Sequence, residues 1–161
     1  MDTIVKPFHK TIVPVDTIVE RADVWSASIA DKTGGLSWLL KGMDEAGADF
    51  NFVIARRTPE HPGSGVVFVT PIRGDKEIKA ASTLGFSLTR SVDAVRYEAD
   101  NEPGASARLT AMLADAGISI RGLSVAVIGT RFVAYIGFDH SDDADRAIDI
   151  FRDAGAELVQ G

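Results

Sequence analysis

Apolar positions along this chain fall into two periods, and the switches between them mark out its elements. From Val24 to Ile29, Trp25, Ala27 and Ile29 alternate with small or polar residues. A period of two predicts a half-buried strand. Leu36, Leu39, Leu40 and Met43 follow at helical spacing, and Gly47 stands where that helix would close. Phe50 to Ala55 returns to strand character. Thr58 to Gly65, broken by Pro59, Pro62 and Gly63, predicts a loop, and Val66 to Val69 a buried strand paired across it. Asp75 to Leu84 reads as a second helix ending at Gly85, and Phe86 to Val92 as a closing strand.

The same order then starts again. Val95, Tyr97 and Ala99 form the apolar face of a strand, with Arg96 and Glu98 opposite. Leu109, Met112 and Leu113 line a helix that stops at Gly117. Ile118 to Ile128 and Phe132 to Phe138 read as strands around a tight Gly129-Thr130 turn. Ala144 to Ala154 is a helix with Ala147, Ile148 and Phe151 inward, and Leu158-Val159 a last short strand. Ala46-Gly47-Ala48-Asp49-Phe50 recurs as Ala116-Gly117-Ile118-Ser119-Ile120, Thr33-Gly34-Gly35 as Pro103-Gly104-Ala105, and Leu84-Gly85 as Ala154-Gly155, each 70 residues on. A fixed period signals one supersecondary unit used twice. Strand, helix, strand, strand, helix, strand is the split βαβ order. The expected fold is therefore α+β: two ferredoxin-like βαββαβ repeats, with antiparallel sheets and helices on one face. The division expected is an N-terminal arm at 1–22, one repeat at 23–92 and a second at 93–161. In the arm, Thr11-Ile12-Val13 and Thr17-Ile18-Val19 flank Pro14, which predicts an extended segment with one edge strand.

Composition narrows the function. The 161 residues are 45% apolar and 25% charged, an ordinary globular balance, with a net charge of −6. No basic cluster is longer than Arg56-Arg57, which argues against nucleic acid and against an anionic membrane surface. No run approaches the roughly 18 apolar residues of a membrane span, and Met1 to Val19 has no continuous apolar core of a secretory signal. There are no cysteines, so disulfides, thiolate nucleophiles, Cys-ligated zinc and iron–sulfur clusters are excluded. That usage fits a reducing compartment, and the expected location is cytoplasmic.

The sharpest motif is the loop between first strand and first helix. Asp100-Asn101-Glu102-Pro103-Gly104 leads directly into a helix, and Asp31-Lys32-Thr33-Gly34-Gly35 holds the same place in the first copy. Proline suits a helix's first turn, and glycine lets the backbone come close to a ligand. A helix start presents unpaired N–H groups and partial positive charge, so a carboxylate can dock there. The bland alternative is a plain helix start capped by Asp or Asn.

With these two loops and the Ala-Gly elements thirteen residues on, the chain resembles tandem ACT domains, the amino-acid-sensing modules of metabolic regulation. The resemblance covers roughly residues 23–160. It implies edge-to-edge pairing of the units and an amino acid bound at their seam, between the loop before the first helix and the start of the second strand. In serine-sensing members an asparagine three residues before the loop glycine contacts the ligand, and that position is Asn101 here and Asp31 in the first copy. A second asparagine follows the helix, two residues past its closing glycine, where this chain has Ser119 and Asp49. Neither copy keeps both amides, which leaves the ligand's identity open. Asp31 and Asp49 could instead pair with an α-ammonium.

The other titratable residues assemble no catalyst. His9, His61 and His140 have no second ligand at helical spacing, so no metal motif is present and no cofactor is expected. Asp139, Asp142, Asp143 and Asp145 read as an acidic helix start, because the glycine and closing glutamate of a calcium loop are missing. Gly63-Ser64-Gly65 reads as a hairpin tip and Arg56-Arg57 as a solvated strand end. The expectation is a non-catalytic regulator that binds a small amino acid or similar metabolite through Asp31, Lys32, Thr33, Gly34, Gly35, Asp49, Asn101, Glu102, Pro103, Gly104 and Ser119. The rival is an interaction module without ligand, forming a homodimer or docking on a metabolic enzyme. A small enzyme is permitted by the fold alone. RNA binding fails on charge and on the missing aromatic strand motif.

Overall fold

The computed structural model describes residues 17–160. Its elements are β1 (Ile18–Arg21), β2 (Val24–Ala30), α1 (Gly35–Glu45), β3 (Phe52–Arg57), β4 (Ser64–Thr70), α2 (Gly74–Leu84), β5 (Ser87–Asp100), α3 (Ala105–Asp115), β6 (Gly122–Ile128), β7 (Arg131–Phe138) and α4 (Ser141–Gln160). Helices α1 and α3 repeat at the 70-residue spacing read from the sequence. The second hairpin is shorter, because Gly129-Thr130 turns the chain where the first copy uses the loop from Thr58 to Gly63.

All strand pairs are antiparallel, in the order β3-β4-β2-β5-β7-β6, with β1 also beside β5. The closing strand of the first unit and the opening strand of the second are one strand of 14 residues. No Gly or Pro lies between Phe86 and Asp100 to break it. Near Ser87 to Val92 it pairs with β2, and from Asp93 to Asp100 with β7. β1 takes the place beside Val95 to Glu98. Leu158 and Val159, read from the sequence as a last short strand, instead lie in α4, whose backbone continues to Gln160. The strand expected in the arm thus serves the second unit's sheet, while positions 11–13 lie outside the described residues.

Two cores result. Trp25 and Ala27 on β2, and Val67 and Val69 on β4, meet Leu39 and Met43 of α1 and Ala81 of α2. Val95 on β5, and Phe132, Ala134, Ile136 and Phe138 on β7, meet Leu109 and Leu113 of α3 and Ala144, Ala147, Ile148 and Phe151 of α4. Leu39 and Met43 recur as Leu109 and Leu113, so both copies use the same helical stripe. Each such side chain, removed from water, is worth about 1.5–3 kcal/mol. Val19 of β1 packs on the second core, and Arg21 ties β1 down through Asp93 at 2.8 Å and Asp145 of α4 at 3.2 Å.

The helix-free side of the sheet curls on itself. Phe52 on β3 stacks on Tyr135 on β7, although three strands lie between them. In a flat sheet the two would stand about 19 Å apart at roughly 4.8 Å per strand. Beside the stack, Arg96 pairs with Glu20 at 3.2 Å and with Glu98, and Arg131 pairs with Glu98 at 3.1 Å and Asp100 at 2.8 Å. Among the described residues no helix is long and apolar enough to cross a membrane.

Candidate functional site

The two glycine loops fold alike. Gly34 starts α1 with φ 86°, and Gly104 starts α3 with φ 81°. Both angles lie in the left-handed region, which a residue with a Cβ enters only at a cost. The amide of Gly35 donates to the carbonyl of Lys32, and that of Ala105 to the carbonyl of Glu102, both at 3.1 Å. Neither helix has a side-chain cap. The capping role open to Asp31 and Asn101 is therefore not taken, and the first-turn amides of Leu36 and Ser37, and of Ser106 and Ala107, have no acceptor among the described residues. Such amides carry the helix's partial positive charge.

Each loop is fixed to its hairpin tip. The amide of Asp31 donates to the Gly63 carbonyl at 2.9 Å, and that of Asn101 to the Thr130 carbonyl at 2.8 Å. Each also gains an arginine that the motif did not reveal. Arg57 pairs with Asp31 at 3.0 Å, and Arg108 donates to the Pro103 carbonyl at 2.9 Å while reaching Glu102 at 3.4 Å. Arg108 had a signal in the sequence: it stands four residues past Gly104, one helical turn above the loop. Lys32, Thr33, Glu102 and Pro103 are exposed on these loops, and Gly35 is half-buried at the start of α1.

Strand pairing keeps the loops apart. Ser26 of β2 pairs with Ser87, so the loop after β2 lies beyond the first end of β5, while Asn101 follows its last residue. The register shift between Val24 and Ser26 shortens that path, so the fourteen residues of β5 set only an upper bound of about 45 Å on the separation. Gly34 and Gly104 therefore lie toward opposite ends of β5. Asp49 and Ser119, both exposed, follow the far ends of α1 and α3 from these loops. An 11-residue helix separates each from its own loop by about 16 Å.

The residues that do converge between the units are others. A cleft of about 260 Å³ is lined by Glu20, Arg21, Ala22 and Asp23, by Trp25 and Asn51, by Thr70 to Arg73, and by Arg96 and Tyr135. Thr70 donates its hydroxyl to the Asp23 carbonyl at 2.9 Å and so fixes one rim. Burial pushes the Tyr135 phenol above its usual value, against the opposing effect of Arg96. Asn51 had no periodicity or motif to mark it. His61 sits in the first hairpin tip and His140 before α4, while His9 lies outside the described residues. Among the described residues no three His, Cys, Asp or Glu side chains are grouped to hold a metal.

Residues 94–152, from β5 into α4, match the family model of the ACT domain. No curated protein matches the sequence. Among solved structures, a protein from Bacteroides thetaiotaomicron superposes with a TM-score of 0.69 at 17% identity, covering 83% of this chain and 90% of that one. The ligand-free regulatory subunit of aspartate kinase from Thermus thermophilus gives 0.56 at 15% identity, over 85% of this chain and 97% of that one. Aspartate kinase from Clostridium acetobutylicum gives 0.56 at 11% identity, over 94% of this chain and 37% of that one. At these identities the likeness is one of fold.

Proposed function

We propose that this chain, whose residues 94–152 are an ACT domain, is a non-catalytic regulatory protein that binds a small amino acid or related metabolite. The observation that carries the reading is the pair of uncapped, glycine-led helix starts at Gly34 and Gly104. A ligand carboxylate would meet their free N–H groups, where helix charge favours an anion. Asp31 or Asn101 would hold the ammonium, with Arg57 or Arg108 beside the carboxylate. Because the loops lie at opposite ends of β5, each seam would be closed by a unit of a second chain, which supplies Asp49 or Ser119. Ligand binding would then favour one assembly over another, and that differential affinity is the switch. The regulatory subunit of aspartate kinase named above shares this fold, which supports a regulatory role. Calorimetric titration with each of the twenty amino acids tests it. Saturating heat with at least one is expected, and no heat with any at millimolar concentration would overturn amino-acid sensing.

A second reading, an interaction module without ligand, is favoured by β6. Among the described residues this edge strand pairs only with β7, and Leu123, Val125, Val127 and Ile128 are exposed on it, Ile128 at 67%. An unpaired apolar edge invites strand addition. Light scattering discriminates the two: a dimer indifferent to amino acids favours this reading.

A further inference from the structure

We infer that the two units pivot about a bulge in β5, with the Phe52–Tyr135 stack as the latch that holds the curl shut. The backbone locates the pivot. β1 and β2 follow one another along the same edge of β5. Ile18 faces Glu98, Arg21 faces Val95 and Val24 faces Val92, and the amide of Ala22 donates to the Ala94 carbonyl at 2.9 Å. One register therefore runs from Ile18 to Val24. It then jumps: Ser26 faces Ser87, so two steps along β2 answer five along β5. Extra residues on one strand of an antiparallel pair interrupt the ladder and bend it. The jump falls where the first unit's sheet hands over to the second's, since β5 pairs with β7 from Asp93 onward.

Few side chains join the units across this pivot. Their two cores share no residue. Each ion pair among the described residues lies within the first unit, or within the second together with β1. Across the curl Phe52 stacks on Tyr135. A cleft of about 260 Å³ also separates the units, with Trp25, Asn51 and Arg73 of the first facing Arg96 and Tyr135 of the second. A broad apolar interface would lock two such bodies together, whereas a narrow one leaves them free to rotate. A hinge needs a few backbone residues that absorb the change in dihedral angles, and the bulge supplies them. The curl is then a closed state, biased by one aromatic pair worth about a 2- to 10-fold preference. An opened state gives a regulator the second arrangement that it must have. The pivot goes beyond the amino-acid reading and needs no ligand, so its failure would leave that reading standing.

The chain has no cysteine, so a pair of spin labels can be placed without background. Lys79 of α2 and Asp149 of α4 are exposed mid-helix positions, one on each unit. With a nitroxide on each in a Lys79→Cys, Asp149→Cys protein, double electron–electron resonance should show one dominant distance and a minor second one. Phe52→Leu removes the ring and keeps apolar bulk. It should raise the minor population about 2- to 10-fold relative to the dominant one, as should Phe52→Ala. Ile54→Ala, at an exposed position on the same strand, should leave the ratio unchanged. Should Phe52→Ala not fold, Phe52→Leu carries the comparison. A single distance that stays in place in the Phe52 variants would overturn the pivot. A second distance that grows equally in Ile54→Ala would overturn the stack as its latch.

Discussion

Phe52 and Tyr135 stack with ring centroids 4.5 Å apart and planes inclined by 30°. One ring belongs to the first unit's edge strand and the other to the second unit's central strand, so this contact closes the curled sheet. Phe52 is half-buried, and its replacement by alanine should cost about 1–2 kcal/mol in urea unfolding. A double-mutant cycle with Tyr135→Leu should give a coupling of about 0.5–1.5 kcal/mol. A coupling of zero would mean that the stack does not join the units.

The first unit sits between a strand and the rest of the second. β1 lies ahead of it in the chain yet pairs with β5 from Val95 to Glu98, and Arg152 of α4 donates to the Val19 carbonyl at 3.2 Å. Deleting residues 1–22 should therefore unfold the second unit preferentially. The edge of β5 would be bare and Val19 gone from the core. Hydrogen exchange should show amides of β7 and α4 losing protection before those of β4. Equal loss in both units would contradict this dependence.

Much of this was legible in the chain. The 70-residue period placed α1 and α3, and the alternation at Trp25, Ala27, Val95 and Tyr97 assigned the faces of β2 and β5. Local patterns carry such information because burial of each side chain follows from its own strand or helix. The sequence could not show that Ser87 to Asp100 would run as one strand, since periodicity does not say where a strand stops. That single extension moved Gly34 and Gly104 to opposite ends. Nor could it show that β1 would pair with β5, because strand pairing is not local. Arg73, Asn51 and Asp23 meet only through that pairing and the curl.

Gly34→Ala and Gly104→Ala should each destabilise the protein by about 1–2 kcal/mol, the cost of placing a Cβ in the left-handed region. Their melting temperatures should drop by roughly 2–8 °C. At Gly34 no atom lies within 4 Å of the added methyl, so backbone strain is the whole effect. At Gly104 the methyl would also stand 3.1 Å from an Arg108 nitrogen and displace it from the Pro103 carbonyl. A Gly34→Ala protein as stable as the parent would refute the assigned loop geometry.

Both tyrosines of the chain have phenols pushed above the ordinary value of 10.0. Burial is the main cause in each. Arg108 opposes and Glu102 reinforces it at Tyr97, while Arg96 opposes and Glu20 and Glu98 reinforce it at Tyr135. The unfolded chain therefore loses these protons at lower pH than the native one. The stability they contribute is complete below about pH 10 and is lost as pH rises through the native values. Urea midpoints should be level just below that pH and fall above it, with phenolate absorbance appearing later in native than in denatured protein. Coincident titrations would contradict the assignment.

The central claim is that this chain, which matches the ACT-domain model over residues 94–152, holds an amino acid. A crystal structure of the full chain, grown with a millimolar mixture of the twenty amino acids, tests it most directly. The account predicts density for an α-amino acid against Leu36 and Ser37 or Ser106 and Ala107. Well-ordered crystals with none of these places occupied would contradict it.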